Sequence, residues 1–222
     1  MRRADGLRAL VFLGRDIMGL QNRVTPDGDI VTSPARGTML GNRGGCFHRD
    51  DRTLKARHWV TRQWIVCLLA FKGRHRRVMQ PGFYTELFFL DEATAFAAGH
   101  RPCFECRRAD AERFARLWAG ADARARASAM DQVLHRERLD ETGSKRVHLA
   151  HWADLADGVF VRHDGVPRLV NGRRLYRWTL AGYDDAVLRP RSGRACMLTP
   201  PSIAAVIAAG YEPAIHHTMH RA

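Results

Sequence analysis

The chain has 222 residues, 45% of them hydrophobic and 27% charged, which is enough apolar material to bury a core and too little polar bias for broad disorder. Lys and Arg number 36 against 23 Asp and Glu, a net charge of +13 with pI near 10.6, and that excess sets up a positive field that recruits polyanions, DNA first among them. No apolar run approaches the roughly 18–20 residues that span a bilayer, and no small-x-small cleavage site follows Leu10-Val11-Phe12-Leu13, so a membrane protein, a collagen-like fibre and a secreted mini-protein are excluded and a bacterial-type, nucleoid-associated cytoplasmic setting is expected.

In chain order, Leu7–Leu13 predicts a strand, Pro26-Asp27-Gly28 a turn, and Gly37 to Gly45 a glycine-rich loop. Residues 59–71 read as a long strand. Lys72-Gly73-Arg74-His75-Arg76-Arg77 then turns towards a partner strand at Val78-Met79, and Tyr84–Leu90 forms a third. These three segments are expected to make an antiparallel meander. Helices are predicted from Asp91 to Ala98 with Gly99 as cap, after the Cys103/Cys106 pair up to Gly120, and over Ser128–Leu139 with Ser128 and Asp131 as a capping pair. A second meander follows: Val159-Phe160-Val161, a turn at Asp164-Gly165, Leu169-Val170, a turn at Asn171-Gly172, and Leu175–Trp178. A last helix starts at Pro200-Pro201 and ends at Gly210. The predicted class is α+β in a single domain, with antiparallel meanders, several short helices and a Cys-x-x-Cys turn; the second meander and terminal helix form a smaller unit at about 155–215.

The basic residues are nearly all Arg, with Lys only at 55, 72 and 145. Arg can pair phosphate or guanine bidentately and stack on bases. A GC-rich coding bias raises Arg and Ala together, so the excess over acids is the firmer signal. Cysteines stand at 46, 67, 103, 106 and 196, an odd number that fits a reducing compartment. Cys67 and Cys196 lie in apolar runs and are expected to be small buried hydrophobes. Cys103 and Cys106 can chelate one tetrahedral ion from a single turn, which needs further ligands.

Residues 88–106, Phe-Phe-Leu-Asp-Glu-Ala-Thr-Ala-Phe-Ala-Ala-Gly-His-Arg-Pro-Cys-Phe-Glu-Cys, resemble the second half of the Ada-type zinc-binding module. The shared pattern is a strand, an alanine-rich helix ending in Ala-Gly, and an aromatic-Arg-Pro-Cys-x-x-Cys turn. The module-like region spans about 84–120. The resemblance implies zinc on Cys103 and Cys106, with Arg101 and Arg107 near a phosphate backbone. The module's first cysteine pair is missing upstream, where Phe71–Gln80 offers only His75. Cys46 and His48, or His100, are the remaining candidates to complete the site. The methyl-accepting cysteine of the full Ada protein has no counterpart.

For chemistry, Glu86 is flanked by aromatics, which would desolvate it and suit general acid/base work, with Tyr84 and Phe88 on the same strand face. The alternative is a Glu paired with an Arg across the sheet. Asn42 can address a base edge or orient a water, while Arg43, Arg49 and Trp59 interleave charge with aromatic surface as phosphate contact and base stacking require. Arg74, Arg76 and Arg77 are placed for backbone contacts on the hairpin turn, which would equally be a solvated turn. His216, His217 and His220 read as a solvated tail rather than a metal site. These residues together predict a protein acting on DNA bases, foremost a DNA N-glycosylase in repair or defence against foreign DNA. The alternatives are a non-catalytic, zinc-containing DNA-binding regulator and, further off, a nuclease.

Overall fold

The computed structural model describes residues 19–73, 77–120 and 123–221; the strand expected at Leu7–Leu13 lies outside them. Among the described residues, two six-stranded sheets and four α-helices make an α+β architecture. The first sheet comprises β1 (Gln21–Val24), β2 (Ile30–Thr32), β3 (Met39–Asn42), β4 (Ile65–Cys67), β5 (Leu87–Phe89) and β6 (Arg101–Pro102), in the order β2-β1-β5-β3-β4-β6. The second comprises β7 (His148–His151), β8 (Phe160–His163), β9 (Val166–Asn171), β10 (Arg174–Thr179), β11 (Gly182–Leu188) and β12 (Arg194–Met197), in the order β11-β10-β9-β8-β12-β7. The helices are α1 (Glu92–Ala97), α2 (Arg108–Ala119), α3 (Ala127–Arg138) and α4 (Pro201–Ala208).

The second sheet is antiparallel throughout, and β8 to β10 form the meander expected from its turn residues. The first sheet departs from expectation. β3, from the supposed glycine loop, inserts between β4 and β5 and pairs antiparallel with both, while β1–β5 and β4–β6 pair in parallel. Val78-Met79 is no strand: Met79 sits at φ 55°, a turn conformation that breaks a ladder. Gly41 explains why this stretch can be central. A Cβ there would lie 2.3 Å from the Ile65 carbonyl oxygen and 2.8 Å from the Phe89 ring, so only glycine lets the three strands close up.

Helix boundaries follow the sequence signals, but the caps do not all serve as expected. Asp91 caps α1, accepting from Thr94 N at 2.8 Å. Asp131 does not cap α3, which starts at Ala127 without a side-chain cap. Instead its carboxylate takes Arg101 bidentately, Nε to Oδ1 at 2.9 Å and Nη2 to Oδ2 at 2.7 Å. Asp91 and Glu92 are buried and reach far along the chain. Asp91 Oδ2 accepts from the Tyr183 hydroxyl at 2.7 Å and from His216 N at 2.9 Å. Glu92 accepts from the Tyr211 hydroxyl at 2.9 Å and Ala214 N at 3.0 Å. The segment before the histidines is therefore docked on α1, not a solvated tail.

One contiguous core joins both sheets and the helices through Val24, Val66, Leu87, Phe89, Phe96, Phe114, Leu134, Val161, Val170 and Ile203. Phe96, Phe114 and Tyr211 form an aromatic triangle with centroids 5.4–5.6 Å apart. Arg101 is 1% exposed, so its charge depends on Asp131. Replacing Asp131 by Ala strands a buried guanidinium, and a loss of about 3–5 kcal/mol is expected in denaturant unfolding.

Candidate functional site

Two side-chain clusters stand out, and β4 links them. Its last residue, Cys67, lies with Cys103 and Cys106, their sulfurs within 4.8 Å of one another. The parallel β4–β6 pairing brings this about, because Arg101 N donates to Trp64 O at 3.1 Å and Cys103 N donates to Val66 O at 3.0 Å. Cys67 is thus no core filler, and its position beside the Cys-x-x-Cys turn was not foreseen. The donor set fits a thiophilic cation: three sulfurs crowd together, and Glu105 N donates to Cys103 Sγ at 3.4 Å. Hydrogen bonds from Cys106 and Cys67 favour ionisation at Cys103, and the same contacts push Cys67 and Cys106 up. Three sulfurs this close together are a cluster that a metal ion would hold.

Cys46 and His48 do not belong to it. Cys46 Sγ lies 3.8 Å from His48 Nδ1, and that nitrogen lies 2.8 Å from Thr85 Oγ1. His75 falls outside the described residues. His100 is buried elsewhere, between Trp64 and Phe89, at centroid distances of 5.1 and 4.7 Å. Cys196 is exposed on β12, whose alternation turns Ala195 and Met197 inward instead.

Just ahead of β4, Trp64 anchors the second cluster. The guanidinium of Arg43 stacks over its ring at 4.0 Å and that of Arg138 at 3.9 Å. Both arginines are buried. Arg43 donates from Nη2 to Gly28 O at 2.8 Å and from Nε to His100 Nε2 at 3.4 Å. Arg138 donates from Nη1 to Gly99 O at 2.9 Å and from Nη2 to Arg62 O at 2.6 Å, while its Nε has no partner. Gly99, at φ +81°, makes room: a Cβ would sit 2.7 Å from Arg138 Cδ. Among the described residues, neither cation makes an ion pair with a carboxylate. Desolvation lowers the Arg43 pKa to about 9, only partly opposed by Asp29. Burial and then repulsion from Arg43 hold Arg138 well below its usual value. Burial, Arg43 and Arg138 also keep His100 neutral, and its Nδ1 has no partner.

Trp64, Arg43 and Arg138 wall a cavity of about 660 Å³ that also takes in Asp27, Asp29, His58, Trp59, Glu141 and Lys145. Arg57 stacks on Trp59 at 3.4 Å, and His135 meets the same ring edge-on at 4.7 Å. Lys145 closes a turn after α3. Asp140 Oδ1 accepts from Thr142 N at 2.9 Å and Ser144 N at 3.0 Å, and Leu139 bridges Lys145. Lys145 Nζ donates to Ala97 O. Burial lowers its pKa; Asp27 opposes this and Arg43, Arg138 and Arg162 add to it, leaving it at about 7.

Of the residues singled out in the sequence, Arg43 and Trp59 line this cavity. Glu86 does not. It is buried and accepts from Met79 N at 2.7 Å, because the strand begins only at Leu87 and leaves Glu86 to hold the preceding turn. Asn42 accepts from Gly44 N at 3.0 Å, tightening its own loop. Arg101 is committed to Asp131, and Arg107 to Glu92 at 2.7 Å and Asp110 at 2.8 Å, so neither presents a free fork. Arg49 is exposed and braces its loop at Thr53 and Leu54. Tyr84 is half-buried and Arg77 exposed; Arg74 and Arg76 lie outside the described residues. Among the described residues no helix is long and apolar enough to cross a membrane.

Compared with models of known protein families, with curated proteins and with solved structures, the chain matches none.

Cys67→Ser is expected to lower bound metal well below one ion per chain, read by metal analysis, and to lower the melting temperature of metal-loaded protein. The cavity has its own signature. Between pH 7 and about 10 the unfolded chain keeps a proton on Lys145 that the folded chain has lost, so this group adds stability as pH rises through that window. The thiols and tyrosines with raised pKa values act in the opposite direction, so the comparison is with Lys145→Met. The wild-type melting temperature should gain on the variant's from pH 7 to 10; a constant difference would contradict the shift.

Proposed function

We propose that this protein binds DNA and excises a base from it as an N-glycosylase, with the cavity beside Trp64 receiving the extruded nucleotide. The observation that carries this reading is the stacking of Arg43 and Arg138 on Trp64, with Asp29 opposing the charge of Arg43 only in part. Buried cations cost folding free energy, and a phosphate in the cavity supplies the missing anion. A volume of about 660 Å³ suits one nucleotide, and Trp59 offers a face for its base. The net charge of +13 favours approach to a polyanion.

Glycosidic cleavage needs a carboxylate near the sugar to activate water and to stabilise the developing cation. Asp27, Asp29 and Glu141 line the cavity and take over from Glu86 in that role. Asp27 pairs with Arg162, and Asp29 is the acid whose charge reaches Arg43, so we assign the water-activating role to Asp29. The metal of Cys67, Cys103 and Cys106 is proposed to be zinc, as in the Ada-type module that residues 88–106 resemble. Three thiolates suit zinc, and its part is to fix β4 and hence Trp64. The cysteine cluster also favours a second reading, a zinc-containing DNA-binding regulator without catalysis.

One assay decides between them. DNA carrying a panel of damaged and modified bases is incubated with the protein and scored for abasic sites. Release is expected on at least one substrate, falling about 100-fold or more in Asp29→Asn with binding retained, while Glu86→Gln loses stability before activity. Binding throughout with no abasic product would establish the regulator instead.

A further inference from the structure

We propose that Lys145 is a nucleophile of this cavity, forming an imine with the aldehyde carbon of a ring-opened abasic deoxyribose, so that the site also cleaves the DNA strand as a lyase. The proposal rests on reading the cavity as a nucleotide pocket. It adds a covalent step that base excision by activated water does not require.

The geometry comes first. Lys145 lines the same cavity as Arg43, Arg138, Trp59, Asp27 and Asp29. It does so from a stiff turn whose carboxylate, Asp140, fixes two backbone N–H groups. Lysines that form imines must be uncharged near neutral pH, and desolvation beside other cations is how proteins arrange this. Lys145 has that setting: half-buried, close enough to Arg43, Arg138 and Arg162 to feel their charge, with Asp27 opposing and its pKa at about 7. Lys55 and Lys72, the chain's other two lysines, are exposed.

The step balances within the site and its solvent. The Nζ lone pair attacks C1′ of the open-chain sugar, the carbonyl electrons take up a proton, and the resulting hydroxyl leaves as water to give a protonated imine. Asp29, on the cavity wall, then removes a proton from C2′. The C2′–C3′ double bond forms as the C3′–O bond breaks, and the 3′-phosphate leaves with that electron pair. Water adds back to the imine, releasing the unsaturated aldehyde and restoring the amine. Arg43 and Arg138 hold the phosphate that departs.

The test uses duplex DNA with a preformed abasic site and cyanoborohydride, which delivers hydride to an imine and locks it as a secondary amine. A covalent protein–DNA complex is expected, with peptide mass analysis placing it on Lys145 and not on Lys55 or Lys72. Lys145→Arg keeps a basic side chain of similar length but removes the nucleophilic amine, and should lower the cross-link yield about 100-fold or more. A cross-link on another lysine, or one that survives Lys145→Arg, would overturn the proposal. Should that variant misfold, pyridoxal phosphate with borohydride is applied to the wild-type protein. Preferential labelling of Lys145, blocked by abasic DNA, is expected, and equal labelling of all three lysines would overturn it. Base release without any cross-link defeats the lyase while leaving excision standing. A Lys145 cross-link on abasic DNA without base release upholds the imine and defeats excision.

Discussion

Two positive charges held against one indole ring, with no described carboxylate in ion-pair contact with either, form the constraint around which this structure is organised. Trp64 offers Arg43 and Arg138 a π face, worth up to about 2 kcal/mol each when desolvated, and carbonyl oxygens of Gly28, Arg62 and Gly99 accept from their N–H groups. Neither contact offsets the loss of hydration around a full charge. For Arg43 the depression from 12.5 to about 9 corresponds to an unfavourable balance on the order of 5 kcal/mol. Proteins keep such an expense where an incoming anion reverses it, and a ligand that does so binds and stabilises by the same contacts.

The surroundings hold those charges in place. Trp64 leads directly into β4, β4 is gripped through Cys67 by the turn at 103–106, and β6 lies parallel to it. Arg101 on β6 is in turn held by Asp131 on α3, the helix that ends in Arg138. A short covalent and hydrogen-bonded path therefore runs from the sulfur cluster to both stacked arginines. An ion held by the three cysteines would fix the register of β4 and so the position of the ring on which the cations rest.

Much of the fold was legible because its signals are local. Turn residues at Asp164-Gly165 and Asn171-Gly172 mark the second meander, and Asp91 with Gly99 brackets α1. The first sheet was not legible, since its order depends on Gly41 permitting a close approach between strands distant in sequence, which no local pattern announces. The candidate site divides along the same line. Cys103 and Cys106 declare themselves by spacing, whereas Cys67 sits in an apolar run and is recruited only by parallel pairing. Glu86 was attractive because its neighbours are aromatic, yet the strand starts one residue later and the carboxylate serves a turn. Arg138 and Lys145 carried no motif. The one available hint was that lysine is so scarce here that each occurrence stands out.

The carboxylates that open α1 reach partners 92, 119, 122 and 125 residues further on. During synthesis on the ribosome these acids emerge long before the tyrosines and amides that satisfy them. The helix therefore cannot settle into its final surroundings until nearly the whole described chain has been released. The interior around α1 therefore closes only when the distant segment from Tyr183 to His216 comes to meet it.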